Sequence, residues 1–266
     1  MKLLFSEATP DYARYLYPYV VWGFLEPGET VADAFAAGFL PASPTLDRFY
    51  LVRHLRLPLA AWQPSSENRR ILRKSAGIRA VLQPLAEFDV TSARREQWLR
   101  FADERFGPGV FPPERLARLL SGGVISHVLH FEEDGPDGGP RDFGTVLMHV
   151  AAPRVAYYYY AFYDLSERRR NPGMILMTRA AEWFARAGFD HLYLGTCVTD
   201  KARYKLQFAP MEFFNGLHWS RDMAELRHLL DTPGETRHRL DTPEFLTFQP
   251  TSCAGLAERS PFRVAT

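Results

Sequence analysis

The residues best suited to chemistry lie at the ends of two aromatic strands. YYYYAFYD ends on Tyr163 and Asp164, and HLYLG holds Tyr193 and Gly195. The Asp164 carboxylate can position an amine or remove its proton, and it can equally cap the turn that follows it. Tyr163 and Tyr193 can donate a hydrogen bond or stack on a base, although a strand tyrosine more often packs with its hydroxyl bonded. Glycine at 195 lets backbone come close to a reacting carbonyl.

The two strands should be neighbours. Residues 173–187 carry apolar side chains at helical spacing and end at Gly188, so a helix joins the strand at 157–163 to the strand at 191–194. A strand, helix, strand unit makes a right-handed crossover, which predicts a parallel pair. Side chains alternate along a strand, so at most half of the run 157–160 should face one site.

A short basic helix follows the second strand. On a helix that begins at Asp200, the positions 201, 204, 205 and 208 should share one face, which sets Lys201 and Lys205 beside Tyr204 and Phe208. Two ammonium groups next to two rings suit a phosphate flanked by a base or a ribose. The alternative is a lysine whose stem covers an aromatic core while its ammonium reaches solvent.

Two further basic clusters could hold phosphate. One contains the helix residues Arg69, Arg70, Arg73 and Lys74, followed by Arg79, with no acid between Glu67 and Glu87. Its like-charge pairs at i,i+4 spacing destabilise the helix unless a bound anion neutralises them. Such runs of charge are, however, commonly just solvent-exposed helix faces. The other is Arg168 with Arg169 and Arg170, just before a helix N-terminus, where anions bind readily.

Composition excludes several classes of protein. The 266 residues are 46% hydrophobic, which allows a sizeable core, and 32 Lys+Arg balance 31 Asp+Glu to a net charge of +1. Any polyanion site must therefore come from local clustering. Cys197 and Cys253 form no C-x-x-C pair, and Cys197 is expected to be a small packing residue. We predict no metal site, no membrane span and a reducing, cytoplasmic location; the sequence is silent on oligomeric state.

The order of predicted elements is typical of one fold. Two helices after a strand near residue 78, three antiparallel strands between 124 and 163, then helix, strand, short helix and strand (211–219) give an α+β protein. This order matches the GNAT fold of N-acetyltransferases, a mixed sheet with an antiparallel meander and a splayed parallel pair. In that fold the reaction occurs in the gap of the pair, here between 160–164 and 193–195.

Three segments carry a family resemblance. YYYYAFYDLSERRRNPG, LYLG and YKLQFAPMEFF together resemble the C-terminal half of the arginyl-tRNA–protein transferase family, including its bacterial leucyl branch. SSENRRILRK, residues 65–74, matches a serine-then-arginine run of that family. The resemblance covers roughly residues 65–219 and, more faintly, the first 64. It implies a small, irregular N-terminal region (1–76) as a degenerate form of the family's N-terminal domain, a GNAT-like transferase domain (77–220), and a C-terminal helix with an irregular tail (221–266).

The resemblance implies an enzyme that moves an aminoacyl group from tRNA to the α-amine of a protein or peptide. Aminoacyl-tRNA is then a co-substrate, and no dissociable cofactor is needed. Asp164, Tyr163, Tyr193 and Gly195 become catalytic candidates, and the basic residues with Tyr204 become tRNA contacts. The chain departs from the family in two places that bear on specificity. No cysteine precedes Cys197, so the family's N-terminal cysteine cluster is absent. The segment between Gly195 and Tyr204 is also shorter than the family's.

Two other functions remain open from the sequence. An acetyl- or acyl-CoA-dependent N-acyltransferase would use the same fold, but RRRNPGM lacks the second small residue of the R-x-x-G-x-G/A loop that such enzymes carry. A non-catalytic family member that binds RNA or a protein is the third reading, motivated by the missing cysteine cluster.

Overall fold

The computed structural model describes residues 21–135, 137–231, 242–248 and 253–262. Within this part of the chain, eleven strands form two sheets. The strands are β1 (Trp22–Gly23), β2 (Phe39–Pro41), β3 (Phe49–Leu51), β4 (His54–Pro58), β5 (Arg79–Pro84), β6 (His127–Asp134), β7 (Pro140–Ala151), β8 (Val155–Tyr163), β9 (His191–Thr196), β10 (Glu212–Phe214) and β11 (Trp219–Ser220).

The described residues also form eight α-helices. They are α1 (Val31–Ala36), α2 (Ser66–Lys74), α3 (Ser92–Phe106), α4 (Pro113–Ser121), α5 (Pro172–Arg186), α6 (Met223–Asp231), α7 (Pro243–Leu246) and α8 (Cys253–Arg259). Two of these helices begin where the sequence predicts. At the start of α3 the Thr91 hydroxyl accepts the Arg94 N–H, and α4 begins at Pro113. No helix of the described residues is both long and apolar enough to cross a lipid bilayer.

The larger sheet has eight strands in the order β11-β10-β4-β9-β8-β7-β6-β5. All neighbours are antiparallel except β8 and β9, which are parallel. The predicted α+β class, with its antiparallel meander and its parallel pair across a helical crossover, is therefore confirmed. The smaller sheet, β1-β3-β2, belongs to the irregular N-terminal region.

A strand from the N-terminal region completes the larger sheet. β4 lies between β9 and β10, and α2 packs against α5. The sequence interpretation missed β4, although Leu55, Leu57 and Leu59 alternate with polar residues or proline and are all buried. The division at residues 76 and 220 stays a prediction, and residues 54–58 lie inside the sheet assigned to the central part.

Helices cover both faces of the larger sheet. α2, α5 and α6 enclose one buried cluster, to which Ile71, Leu176 and Leu226 belong. α3 and α4 enclose a second cluster with Trp98 and Leu116. A third cluster, with α1 and the small sheet, includes Phe35 and Tyr193. α5 buries the apolar stripe that the sequence predicts for residues 173–187.

A β-bulge in β8 changes which tyrosines face together. Met148 pairs with Tyr158 and Leu147 with Tyr160, so Tyr159 has no partner on β7. The extra residue turns Tyr159 and Tyr160 to the same face. Tyr157 and Tyr160 both neighbour Tyr159, with ring centroids 5.1 Å and 5.0 Å away, whereas Tyr158 lies in the cluster under α5. The expectation that at most half of this run shares a face is wrong.

Two local elements differ from the expected ones. The segment Asp200–Gln207 is a 3-10 helix, whose period of three separates Lys201 and Tyr204, both exposed, from the buried Phe208. The predicted common face of 201, 204, 205 and 208 is therefore wrong. The expected strand over 211–219 is two short strands, β10 and β11, joined by a turn in which the Asn215 side chain accepts the backbone N–H groups of Leu217 and His218.

Candidate active site

The candidate site is the opening between β8 and β9. The two strands pair at only three positions, which end at Tyr157 and Tyr193. Beyond them β8 continues to Tyr163 and β9 to Thr196 without pairing to each other. The backbone groups that face this opening are free to meet a ligand or a side chain.

The Lys205 side chain fills part of this opening. Its ammonium donates hydrogen bonds to the carbonyl oxygens of Leu194 (2.6 Å) and Thr196 (3.1 Å) on β9. Burial lowers the Lys205 pKa from 10.5 to about 8. An ammonium has three donors, so one N–H is left after these two bonds. Lys205 thus brings a positive charge and a spare donor into the opening.

Gly195 lies beside this ammonium. Its φ of +74° is a conformation that favours glycine. A methyl group there would lie 3.8 Å from the Tyr157 hydroxyl and 4.0 Å from the Lys205 Nζ, so the three residues meet in one place. Gly195 and Lys205, both selected from the sequence, are brought together by the fold.

Tyr193 packs in the third buried cluster, with Phe35. It is 1% exposed, and its ring packs edge-on against Phe35 at 4.8 Å and Trp219 at 5.8 Å. Burial raises its pKa, while Arg56, close enough to hydrogen-bond its hydroxyl, opposes the rise. The catalytic role of Tyr193 stays a prediction, and its surroundings are those of a core residue.

Asp164 and Tyr163 lie farther along β8. The last paired residues are Tyr157 on β8 and Tyr193 on β9. Asp164 lies seven residues beyond the first and Gly195 two residues beyond the second. At about 3.3 Å per residue, the two are roughly 16 Å apart along the strand direction. The exposed Asp164 carboxylate accepts the Ser166 N–H at 2.8 Å, and this bond lowers its pKa. The Tyr163 hydroxyl lies at the start of α5, 3.2 Å from where a Cβ of Gly173 would be. The fold does not bring this pair to Gly195.

The basic clusters have different surroundings. On α2, Arg70 pairs with Glu67, and the Arg69 guanidinium donates to the Pro64 carbonyl at 2.6 Å. Arg73 and Lys74 are exposed, and neither forms an ion pair with any described residue.

In the loop before α5, Arg168 pairs with Glu104 and Arg170 with Glu133. Hydrogen bonds from Arg170 and Arg141 hold the Glu133 pKa at about 2 against the effect of burial. Arg169 is exposed and forms no ion pair within the described residues. Only part of the predicted basic surface is therefore open to phosphate.

Tyr204 marks the edge of the opening on the α5 side. Its ring is 49% exposed, with the Lys205 Nζ 5.9 Å from the ring centroid. Burial of its hydroxyl and the nearby Tyr163 raise its pKa, and Arg105 from the end of α3 opposes the rise. Arg105 was not predicted as part of this site, because Gly107 and Pro108 mark the end of α3 in the sequence but do not indicate that this end lies near Tyr204.

The opposite face carries residues that the sequence interpretation missed. Tyr50 from β3 and Arg115 from α4 join the tyrosines of β8, and the Arg115 guanidinium donates to the Tyr160 hydroxyl at 3.1 Å. Tyr50 and Arg115 lie far along the chain from β8 and from each other, so no local sequence pattern indicates that they meet it. No group of three or more potential metal ligands occurs in the described residues.

A known protein family matches part of this chain. A profile described as the C terminus of arginine-tRNA-protein transferase matches residues 141–215. This range contains β8, α5, β9 and the Lys205 segment, which surround the opening, together with most of β7 and with β10.

Similar curated proteins carry a related name. An aspartate/glutamate leucyltransferase of Stenotrophomonas maltophilia (strain K279a) is 25% identical over 209 residues, which cover 77% of this chain and 79% of the relative. A protein of the same name from Phenylobacterium zucineum (strain HLK1) is 25% identical over 187 residues, 67% of this chain and 71% of the relative.

Solved structures give weaker likenesses. A crystal structure of FemX has a TM-score of 0.46 at 9% identity and covers 70% of this chain and 66% of that one. The C-terminal domain of a lysylphosphatidylglycerol synthetase from Agrobacterium fabrum has a TM-score of 0.41 at 15% identity, covering 63% and 51%.

Proposed function

We propose, on the premise that this chain is a relative of the arginyl- and leucyl-tRNA–protein transferases, that it transfers an aminoacyl group from a charged tRNA to the α-amine of a protein or peptide. The observation that carries the proposal is the Lys205 ammonium at Gly195, inside the opening of the β8–β9 pair. It supports acyl transfer because a fixed cation can stabilise the oxyanion that forms on a reacting carbonyl, and a glycine lets that carbonyl approach the backbone closely.

The reaction would proceed through one tetrahedral intermediate. The acceptor nitrogen forms a bond to the carbonyl carbon of the aminoacyl ester, and the carbonyl oxygen becomes an oxyanion that the spare N–H of Lys205 stabilises. The intermediate then collapses to an amide, the bond to the terminal ribose oxygen breaks, and that oxygen takes up a proton. The attacking nitrogen releases its own proton to solvent.

A nearby cation also helps the attacking amine. An acceptor α-amine has a free pKa of about 7.7–8.0, and a like charge close by favours its neutral, nucleophilic form. Alignment of amine and ester can supply on the order of 7–11 kcal/mol in ideal cases. The proposed reaction therefore does not require Asp164 as the base. The proposed reaction needs no metal and no dissociable cofactor.

The tRNA would approach on the α5 side. Tyr204 offers an exposed ring for the terminal adenine, worth roughly 1–3 kcal/mol for a stacked base, and the exposed Lys201 lies on the same 3-10 helix. α2 with Arg73 and Lys74 packs on this side of the sheet, against α5. We propose these residues as tRNA contacts and assign Lys205, which is partly buried, to the reacting carbonyl. Aminoacyl-tRNA as donor is consistent with a cytoplasmic enzyme.

The relatives suggest which substrates to test first. They are named aspartate/glutamate leucyltransferases, so we propose leucyl-tRNA as donor and a peptide with an N-terminal aspartate or glutamate as acceptor. Arginyl-tRNA is the second donor, because the matching profile is described by arginine.

The proposal is tested by incubating the purified chain with tRNA charged with radiolabelled amino acids and with peptides of varied N-terminal residue. We expect label in the acid-stable peptide fraction with wild-type protein and a loss of at least a hundredfold with Lys205→Ala, by analogy with removal of one oxyanion donor. Transfer from no charged tRNA to any peptide would refute the proposal. Acyl transfer from CoA thioesters would favour the CoA enzyme, and tRNA binding without transfer would favour the non-catalytic reading.

A further inference from the structure

A cluster of tyrosines lies on the face of the sheet opposite α5. The bulge in β8 directs Tyr157, Tyr159 and Tyr160 to this face, and β3 brings Tyr50 to them. We call these four residues the tyrosine cluster. Each hydroxyl is near enough to others of the cluster to affect their pKa values.

The hydroxyls of this cluster are largely unused by the protein. Only that of Tyr160 takes part in a hydrogen bond, from Arg115, among the described residues. Tyr157 is 8% exposed, and its hydroxyl points toward Gly195 without a bonding partner in the described part of the chain. Tyr50 and Tyr159 are partly exposed, so these hydroxyls converge where a ligand can reach them as hydrogen-bond donors or acceptors.

The cluster connects the surface with the reaction site. At its inner end Tyr157 reaches Gly195, which Lys205 also approaches. At its outer end is Arg115, an exposed residue of α4 whose guanidinium lies 5.5 Å from the Phe111 ring and donates to the Val110 carbonyl at 3.2 Å. Arg115 has no carboxylate partner among the described residues. A charged side chain anchored by neutral groups keeps donors free for an incoming anion.

The chemistry of the two ends is different. Burial and the neighbouring hydroxyls raise the pKa of Tyr157, and they raise that of Tyr159 to about 12, so both are neutral phenols at physiological pH. Neutral phenols accept N–H donors, and ring faces attract cations, which suits an α-amine in either protonation state. Arg115 suits a carboxylate.

We infer that the tyrosine cluster with Arg115 is the acceptor pocket, in which Tyr157 and Tyr159 hold the α-amine of an acceptor peptide and Arg115 binds the acidic side chain of its first residue. This inference rests on the proposed function, which supplies the acceptor. The donor and the acceptor then reach the opening from opposite faces of the sheet. Arg115 becomes the residue that selects an acidic N-terminus, and the tyrosines position the amine.

Matched variants test the pocket. Arg115→Gln removes the charge, and Arg118→Gln, one turn farther along α4 and also exposed, is its control. Tyr159→Phe removes one hydroxyl and keeps the ring, and Tyr158→Phe, whose unbonded hydroxyl lies on the α5 side, is its control. Peptides that begin with Asp or Asn and are otherwise identical separate the carboxylate from its isosteric amide.

Kinetic constants for peptide and tRNA give the first readout. We expect Arg115→Gln to raise the KM of the Asp peptide tenfold or more and to abolish the preference for Asp over Asn, with the KM of charged tRNA unchanged. Tyr159→Phe should raise the KM of both peptides severalfold, and both controls should behave as wild type. An unchanged Asp preference in Arg115→Gln would overturn the inference.

Direct binding separates failure of the pocket from failure of the proposed function. Binding of a labelled Asp peptide is measured by fluorescence anisotropy in the absence of tRNA. It should be weaker for Arg115→Gln and Tyr159→Phe than for the two control variants. Equal affinity for all variants, with transfer intact, would refute the pocket and leave the aminoacyltransferase standing. Absence of transfer by wild type, with peptide binding that still depends on Arg115, would refute the transferase and support a peptide site here.

Discussion

At the scale of single residues, the charge of Lys205 predicts an unusual pH dependence. Burial lowers its pKa to about 8, so the ammonium that would stabilise the oxyanion is present below pH 8 and lost above it. The acceptor amine becomes nucleophilic as pH rises through about 7.7–8.0. The kcat/KM of wild type for peptide should therefore rise and then fall, with a maximum near pH 8.

Replacing Lys205 by arginine isolates the falling part of this profile. A guanidinium stays charged at every accessible pH. We expect Lys205→Arg to lose the decrease above pH 8 and to level off at high pH, even where its maximal rate is lower because the larger group fits less well. Circular dichroism checks the fold. The same decrease in wild type and in Lys205→Arg would show that another group titrates.

The residues of the site could be predicted from the sequence only in part. Gly195 stands out because a glycine directly after an apolar strand indicates a special backbone conformation. Lys205 stands out by charge, but its position inside the opening depends on a 3-10 turn whose period differs from that of an α-helix. Tyr50 and Arg115 come from distant segments and carry no local signal.

At the scale of elements, an ion network fastens β4 into the larger sheet. The Glu212 carboxylate on β10 accepts from Arg56 on β4 at 2.7 Å and from Arg221 at 2.8 Å. Burial raises the Glu212 pKa, but the two guanidinium groups outweigh it and the pKa is lowered overall. Arg56 also lies 3.9 Å from the centroid of the Trp219 ring. The network ties the N-terminal region to the strands next to the site.

Glu212→Gln should weaken this junction. The neutral amide leaves the mostly buried Arg56 without its counter-charge, so we expect a loss of about 2 kcal/mol or more in the free energy of unfolding. Urea unfolding followed by fluorescence measures the change.

The matched control is Glu96→Gln, whose partner Arg100 is exposed; it should cost less than about 0.5 kcal/mol. Equal small losses in both variants would mean that the Arg56–Glu212 pair contributes no more than a surface ion pair.

Elements whose apolar residues repeat at a regular period could be predicted from the sequence, and irregular elements could not. α5 presents nine buried residues in fifteen positions, so its apolar stripe is evident. The bulge at Tyr159 has no such signal, because four consecutive tyrosines look alike at every register. That one extra residue decides that three tyrosines, and not two, face the inferred acceptor pocket.

At the scale of the whole molecule, the sheet separates two entrances to one opening. The α5 side carries Tyr204 and the basic surface of α2, and the other side carries the tyrosine cluster with Arg115. With a net charge of only +1, the chain as a whole exerts little attraction on a polyanion. Under the proposed function, affinity for tRNA would come from local cations such as Arg73 and Lys74, so it should depend on these particular residues.

The salt dependence of tRNA binding tests this local origin. Each lysine or arginine that contacts a phosphate adds about one to the slope of log K against log salt concentration. We expect Arg73→Gln combined with Lys74→Gln to reduce that slope by about two. Arg95→Gln combined with Arg100→Gln removes the same charge from α3, which packs on the opposite face, and should leave the slope unchanged. Filter binding of uncharged tRNA between 50 and 300 mM salt, concentrations chosen to span roughly a sixfold range, measures it. Equal reductions in both double variants would mean that net charge alone attracts the tRNA, and no reduction in either would remove α2 from the interface.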